Sequence, residues 1–123
     1  AAARAGGAGR DMIAVATAGR IFLRRAPTDM RKSFDGLSGI VRGEFGRDPL
    51  SGDLFVFVNR RRDFVKALYW ERDGLALWSK RLERGRFAPR PDGPPEIGRE
   101  ELALLLEGVR AKVVSRSPRW RPC

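Results

Sequence analysis

The first strong pattern along the chain is an apolar stripe at helical spacing. Residues four, three, four and four positions apart are hydrophobic: Met30, Phe34, Leu37, Val41 and Phe45. This spacing predicts a helix with one buried face. Thr28 and Asp29 predict its start, because a hydroxyl caps free backbone N–H groups and a carboxylate favours the first turn. Gly46 predicts its end.

Three glycines fall inside this predicted helix at helical spacing: Gly36, Gly39 and Gly43. A glycine in a helix costs about 1 kcal/mol relative to alanine. Because the three repeat at helical spacing, close backbone contact with another element could offset that cost.

Three strands are predicted in quick succession after a turn at residues 47–53. Leu54–Val58 is continuous and rich in aromatic and β-branched residues, which predicts a central strand buried on both faces. Phe64–Trp70 and Leu75–Ser79 follow, joined by short polar turns. Because these connections are too short for parallel crossovers, the three strands are expected to form an antiparallel meander.

Further elements are predicted on either side of the meander. Residues 13–25 have strand character, with Gly19 marking a turn or bulge. Residues 88–95 hold four prolines and a glycine and predict a loop, and Gly98–Gly108 predicts a short helix. The predicted fold class is α+β, with an antiparallel sheet packed against one long and one short helix. The sheet would combine the three-strand meander with an N-terminal strand or hairpin.

The same patterns predict the domain organisation. Residues 1–12 lack a hydrophobic pattern and are expected to form a disordered N-terminal segment. Residues 13–111 are expected to form a single α+β domain. Residues 112–123 are expected to form a basic extended tail, because they contain two prolines, several cations and no acid.

Composition adds charge to this picture. The chain has 25 Lys and Arg against 15 Asp and Glu, which gives a formal net charge of +10. Such a charge concentrates a protein near phosphates or anionic lipid. An Arg-, Ala-, Gly- and Pro-rich composition also follows from a GC-rich genome, so charge alone leaves both interpretations open. No apolar run approaches the roughly 20 residues that cross a bilayer, so no membrane partner is expected.

The residues that are missing exclude several kinds of site. The chain has no histidine and one cysteine, Cys123. His-based zinc sites, Ser-His-Asp triads and Cys-His dyads are therefore excluded. A single cysteine forms no internal disulfide, which favours a reducing compartment and a cytoplasmic location. Most carboxylates lie in predicted turns or caps, so a divalent-metal nuclease is the weakest alternative, and no catalytic residue, metal site or cofactor is predicted.

The strongest candidate site is a set of seven cations that antiparallel pairing would place at one end of the sheet. Three lie in the turn before the second meander strand, and four follow the end of its hairpin partner. We call this set the basic rim: Arg60, Arg61, Arg62, Lys80, Arg81, Arg84 and Arg86. The arginine guanidinium can donate two parallel hydrogen bonds to a phosphate. The rim is therefore predicted to bind the phosphate backbone of a nucleic acid. The alternative is ordinary turn solvation with ion pairs to Asp63 and Glu83.

Other residues are weaker candidates for nucleic-acid contact. Lys66 lies within a predicted strand, and the tail contributes Arg116, Arg119 and Arg121. A merely disordered tail is an equally good interpretation. Three aromatic residues on adjacent strands could stack bases, although cross-strand packing is the commoner role of such residues: Tyr69, Trp70 and Trp78.

Several long segments resemble a known family in their order and spacing. They cover residues 28–37, 48–57 and 80–87, with Lys66, Trp70, Asp73-Gly74 and Leu77 between them. Over about residues 13–110 the chain resembles the small accessory protein, often labelled TnpB, that is encoded by the second reading frame of bacterial insertion sequences of the family numbered sixty-six. The first eleven residues and Gly98, where the family often has Ser, depart from the pattern.

The resemblance implies a role in transposition in the bacterial cytoplasm, beside a separate protein that carries the transposase chemistry. It supplies no catalytic residues. Together with the residues themselves, it predicts a non-catalytic accessory protein that binds DNA through a basic surface. The alternative is an adaptor that docks on the transposase of the same element, through the glycine-lined helix or the tail, without binding DNA directly.

Overall fold

The chain builds a mixed five-stranded sheet with helices packed against it. The structure, a computed structural model, describes residues 19–108. The strands are β1 (Ile21–Leu23), β2 (Leu54–Val58), β3 (Phe64–Glu71), β4 (Gly74–Arg81) and β5 (Glu96–Ile97). The helices are α1 (Phe34–Ile40), which continues as a π-helical stretch (Val41–Phe45), and α2 (Arg99–Glu107).

The strand order is β4-β3-β2-β1-β5. The antiparallel pairing of β2 with β3 and of β3 with β4 confirms the predicted meander. The prediction of a wholly antiparallel sheet is wrong at β1, because β1 pairs parallel with β2, with Ile21 opposite Leu54. The long connection through α1 makes that crossover possible. The sequence patterns do not predict β5, which pairs antiparallel with the other side of β1.

Strand β2 divides the core into two layers. All five of its residues are buried, which confirms the prediction of a strand covered on both faces. Leu54, Val56 and Val58 belong to the cluster that contains Leu102 and Leu105 of α2. The intervening Phe55 and Phe57 belong to a second cluster that contains residues of α1. Each helix therefore closes one face of the sheet.

Helix α1 begins later than Thr28 and Asp29 predicted. The Thr28 N–H donates to the Val58 carbonyl at 2.9 Å, which extends the pairing of the segment after β1 with β2. The Asp29 carboxylate accepts the Arg31 N–H at 2.9 Å and so closes a turn. These two polar residues therefore satisfy backbone groups outside a helix, and α1 begins at Phe34. The predicted end is confirmed, since Gly46 has a left-handed φ of 65°.

Within the described residues, Gly39 and Gly43 have no close contact with another element. A β-carbon placed on either would meet no atom of the described chain within 4 Å. Leu37 and Val41 occupy the face turned to the sheet, which leaves these glycines on the outward face. A β-carbon placed on Gly36 would instead lie 3.1 Å from the aliphatic side chain of Lys32.

The predicted loop and second helix are confirmed, whereas the predicted first strand and domain boundaries lie partly outside the described residues. Residues 88–95 are irregular, and α2 runs from Arg99 to Glu107 between Gly98 and Gly108, as predicted. The strand predicted for residues 13–25 is only three residues long within the described range, and residues 13–18 lie outside it. The predicted domain boundaries at residues 13 and 111 also lie outside it.

Two phenylalanines allow a direct test of this packing. Phe55 is fully buried, and its ring lies 5.4 Å from that of Phe22 and 5.9 Å from that of Phe45. Phe34 belongs to the predicted apolar stripe but is 42% exposed. We expect Phe55→Ala to lower the free energy of unfolding by about 3–5 kcal/mol, because it leaves a cavity. Phe34→Ala should lower it by less than about 1 kcal/mol. Urea denaturation measures both, and equal losses would contradict the two-layer core.

Candidate nucleic-acid interface

Backbone pairing joins the two parts of the basic rim at one end of the sheet. In the β3–β4 register, Phe64 lies opposite Arg81 and Val65 opposite Lys80. Beyond the strands, the Leu82 N–H donates to the Asp63 carbonyl and the Phe87 N–H to the Arg62 carbonyl, each at 2.7 Å. The turn before β3 and the segment after β4 are therefore held side by side.

The cations of the rim are open to solvent. All seven residues are exposed, although Arg81 also lies over the Phe64 ring at 5.4 Å. Within residues 19–108, no rim cation lies within 4.0 Å of a carboxylate oxygen. Asp63 instead accepts a hydrogen bond from the Asn59 amide at 2.8 Å. The predicted alternative, ion pairing of the rim with Asp63 and Glu83, is therefore not what this part of the chain adopts.

Asn59 organises the turn that carries three of the rim arginines. Its side-chain oxygen accepts the N–H groups of Asp63 at 3.0 Å and Phe64 at 3.1 Å. Its backbone carbonyl accepts the Arg62 N–H at 3.0 Å. One half-buried amide thus fixes a short turn that carries three exposed arginines.

This tight turn places Arg62 in the left-handed region, with φ of 62°. Residues other than glycine rarely adopt that conformation, which costs of order 1–2 kcal/mol. Arg72, in the hairpin turn at the opposite end of β3, has a φ of 59°. The two arginines therefore share a strained conformation but differ in location, one in the rim and one away from it.

The opposite end of the sheet has a mixed charge. It comprises the residues just before β1 and β2 and the β3–β4 hairpin. Its charged residues are Arg20, Arg47, Asp48, Asp53, Glu71, Arg72 and Asp73. The rim has two acidic neighbours, Asp63 and Glu83, against its seven cations, whereas this end has three cations and four acids.

Lys66 lies apart from the rim, on the face of the sheet that α1 covers. Its ammonium donates to the carbonyls of Met30 and Lys32, each at 2.8 Å. The lysine therefore holds the loop that leads into α1. No signal in the sequence marks this role, because the partners are backbone atoms more than thirty residues away. Contact of Lys66 with nucleic acid stays a prediction.

The loop held by Lys66 carries two exposed cations that the sequence analysis did not assign. The Arg31 guanidinium pairs with the Asp29 carboxylate at 2.7 Å. Hydrogen bonds from the Arg31 side chain and backbone hold the pKa of Asp29 at about 2. The charge of Arg31 is thus largely balanced locally, and Lys32 is the cation that this loop adds to the surface.

The three aromatic residues that could stack bases do not share a face. In the register of β3 and β4, Trp78 lies opposite Ala67, whereas Trp70 lies opposite Leu75. Side chains alternate between faces along a strand, so the two tryptophans point to opposite sides of the sheet. Tyr69 and Trp78 pack against the cluster that contains α2. Both residues therefore contribute to packing against the core.

The last predicted features concern metal binding, membrane spanning and the arginines of the tail. In residues 19–108, no group of three or more His, Cys, Asp or Glu side chains is placed to hold a metal ion. Neither helix of that range has the length and hydrophobicity needed to span a bilayer. Arg116, Arg119 and Arg121 lie outside the described residues. The described chain ends at Gly108, where a β-carbon would collide with the Arg86 carbonyl of the rim.

Comparison with known proteins identifies the family. The model of the family described as IS66 Orf2-like protein matches residues 19–116. The chain belongs to the IS66 Orf2-like family. This family is one of accessory proteins associated with transposition, so membership confirms the resemblance to the second-frame protein of this class of insertion sequence.

Two relatives of this IS66 Orf2-like protein come from Sinorhizobium fredii (strain NBRC 101917 / NGR234). The uncharacterized protein y4jC is 37% identical over 105 residues, which cover 84% of this chain and 90% of the relative. The uncharacterized protein y4hO is 34% identical over the same length and the same shares. No solved structure gives a significant match.

The contacts of Lys66 predict a structural role that stability measurements detect. Lys66→Met keeps the aliphatic stem but removes two charged hydrogen bonds. We expect the free energy of unfolding to fall by at least about 1.5–3 kcal/mol, the usual contribution of one hydrogen bond to a charged group. The matched control is Lys80→Met, since Lys80 is exposed and forms no side-chain hydrogen bond with residues 19–108. Chemical denaturation that gives equal stabilities for both variants would contradict the role.

Proposed function

We propose that this IS66 Orf2-like protein assists transposition by binding DNA through its basic rim. The observation that carries the proposal is the set of seven exposed cations at one end of the sheet, none of them paired with a carboxylate in the described chain. Membership of a transposition-associated family supplies the context in which DNA is the natural polyanion.

The chemistry of the rim suits phosphate. Six of its seven residues are arginine, whose planar guanidinium donates two parallel hydrogen bonds to a phosphate. The turn that holds three of them is fixed by Asn59. A rim that is already ordered loses less conformational entropy on binding.

The mode of contact follows from the elements that carry the rim. Its residues lie in a turn and at a strand end, and no helix in the described range presents this surface to a groove. Such contacts position a protein on the sugar-phosphate backbone without reading base edges. The protein therefore binds DNA with little sequence preference, and its mixed-charge end faces away from the nucleic acid.

The proposal predicts steep salt dependence. Affinity for a labelled duplex should fall linearly on a log–log plot against salt, with a slope of about −0.9 for each phosphate contacted. The double variant Arg60→Gln, Arg61→Gln should flatten the slope by about two, or about one for each lost contact. Arg42→Gln is the charge control, because Arg42 is exposed on the helix that continues α1. Fluorescence anisotropy across a salt series measures all three.

Two outcomes of that titration would overturn the proposal. Affinity that does not change with salt excludes a phosphate-bound mode. Equal weakening by Arg42→Gln and by a single rim substitution would mean that total charge matters and that the rim does not.

The strained arginines provide a second test. Arg62→Gly should remove the left-handed penalty and raise the free energy of unfolding, yet weaken DNA binding because a rim cation is lost. Arg72→Gly makes the same change at the other end of β3 and should raise stability without changing affinity. Denaturation and anisotropy measure the two effects. Weakened binding in both variants, or in neither, would contradict the location of the site.

A second candidate function is the protein adaptor, and one observation favours it. Gly39 and Gly43 leave part of the helix backbone open, because a β-carbon added at either position would have no described atom within 4 Å. Another protein could approach that helix closely. Co-purification with the transposase after nuclease treatment, combined with no affinity for duplex DNA, would select the adaptor over the DNA-binding function.

A further inference from the structure

Strand β4 forms a long open edge of the sheet. It has eight residues, and in residues 19–108 only β3 pairs with it. Residues 74–78 are partly exposed and residues 79–81 are exposed, whereas β2 at the centre of the sheet is fully buried. The other edge is the two-residue strand β5.

The hydrogen bond from the Leu82 N–H to the Asp63 carbonyl shows which backbone groups are open. In an antiparallel pair, alternate residues turn both backbone groups toward the partner strand. Since Leu82 faces β3, the even-numbered residues of β4 also face β3. The odd-numbered residues direct their N–H and C=O groups outward: Leu75, Leu77, Ser79 and Arg81.

This edge lacks the usual protection. Exposed edges are normally blocked by proline, by a bulge or by charges along the strand, since open backbone groups recruit other strands. Residues 74–78 contain no proline and no charge. The charges lie at the two ends instead, with Asp73 just before β4 and Lys80 and Arg81 at its finish.

We propose that β4 pairs with β4 of a second copy of this chain in antiparallel orientation. The arrangement of charge selects this partner. In a register centred on Leu77, each Arg81 lies opposite Asp73 of the other copy, and Leu77 lies opposite itself. Opposite charges across a strand pair are favourable, and like charges are unfavourable. A parallel self-pair would instead align cations with cations.

The pair is a two-fold symmetric interface, which is the commonest arrangement of homodimers. It joins two five-stranded sheets into one sheet of ten strands. The strands run in opposite directions across the join, so the two basic rims lie at opposite ends of the dimer. An eight-residue strand spans about 26 Å, which sets the scale of their separation. On the proposed function, one dimer therefore carries two separate DNA-binding ends, each presenting the six rim cations other than Arg81, which pairs with Asp73 across the join.

Charge exchange tests the register. Analytical ultracentrifugation of the full chain through the micromolar range should show a concentration-dependent dimer. Asp73→Arg alone and Arg81→Asp alone should each weaken it, because each places like charges opposite each other. The double variant should restore the dimer. Asp92→Arg is the control, because Asp92 lies in the irregular segment 88–95 and should leave association unchanged.

Hydrogen exchange identifies the surface independently. Dimerisation should slow exchange of the Leu75, Leu77 and Ser79 amides, while Ala76 and Trp78 stay protected by β3 in the monomer as well. A monomer at all concentrations would overturn the proposal. So would a monomer with those three amides already protected, since the edge would then be covered by the same chain. A dimer whose affinity is unchanged by Asp73→Arg and by Arg81→Asp would also overturn the proposal.

The outcome is separable from that of the proposed function. Arg62→Gly removes a rim cation without touching the β4 edge, so it should weaken DNA binding and leave the dimer intact. A dimer that binds no DNA would retain this inference and reject the function. A monomer that binds DNA through the rim would retain the proposed function and reject the β4–β4 dimer.

Discussion

The two-sided burial of β2 is the constraint on which the rest of the fold depends. A strand made only of large apolar residues has no face that water can solvate, so both sides must be covered. Phe55 and Phe57 need one layer, and Leu54, Val56 and Val58 need another. The chain supplies α1 between β1 and β2 for the first and α2 near the end of the described range for the second. The parallel pairing of β1 with β2 follows from placing a whole helix in that connection.

The candidate site is a product of this scaffold. A strand that must be central needs a partner on each side, and the meander supplies one through the short turn at residues 59–63. That turn can be short because Asn59 satisfies its inward backbone groups. The side chains that point outward from this turn do not pack in the core, and three of them are arginine. The order imposed by the core therefore fixes the position of surface charge.

Sequence reasoning succeeded where local pattern and burial agree. The apolar run of β2, the close spacing of the meander strands and the glycines that bracket α2 each carry their own physical signal. It failed where a polar residue can satisfy backbone groups either at a helix start or outside a helix. Thr28 and Asp29 suit a helix cap, but in the fold Thr28 bonds to the end of β2 and Asp29 closes a turn. Lys66 forms hydrogen bonds with two carbonyls that are distant in sequence. The parallel pairing of β1 with β2 likewise joins segments that are far apart in sequence. No local pattern encodes such contacts, although the end of the sheet that gathers the rim cations did follow from strand pairing alone.

Separation of the rim from both hydrophobic clusters has a consequence for how such a protein can change. None of its seven side chains belongs to either cluster, so the core that stabilises the fold and the exposed cations are separate sets of residues. Apart from Arg62, whose left-handed backbone conformation affects stability, a gain or loss of arginine at these positions changes the surface charge with little effect on the free energy of unfolding. The charge at this end of the sheet can therefore differ from one sequence to another while the same two-layer core keeps the scaffold unchanged.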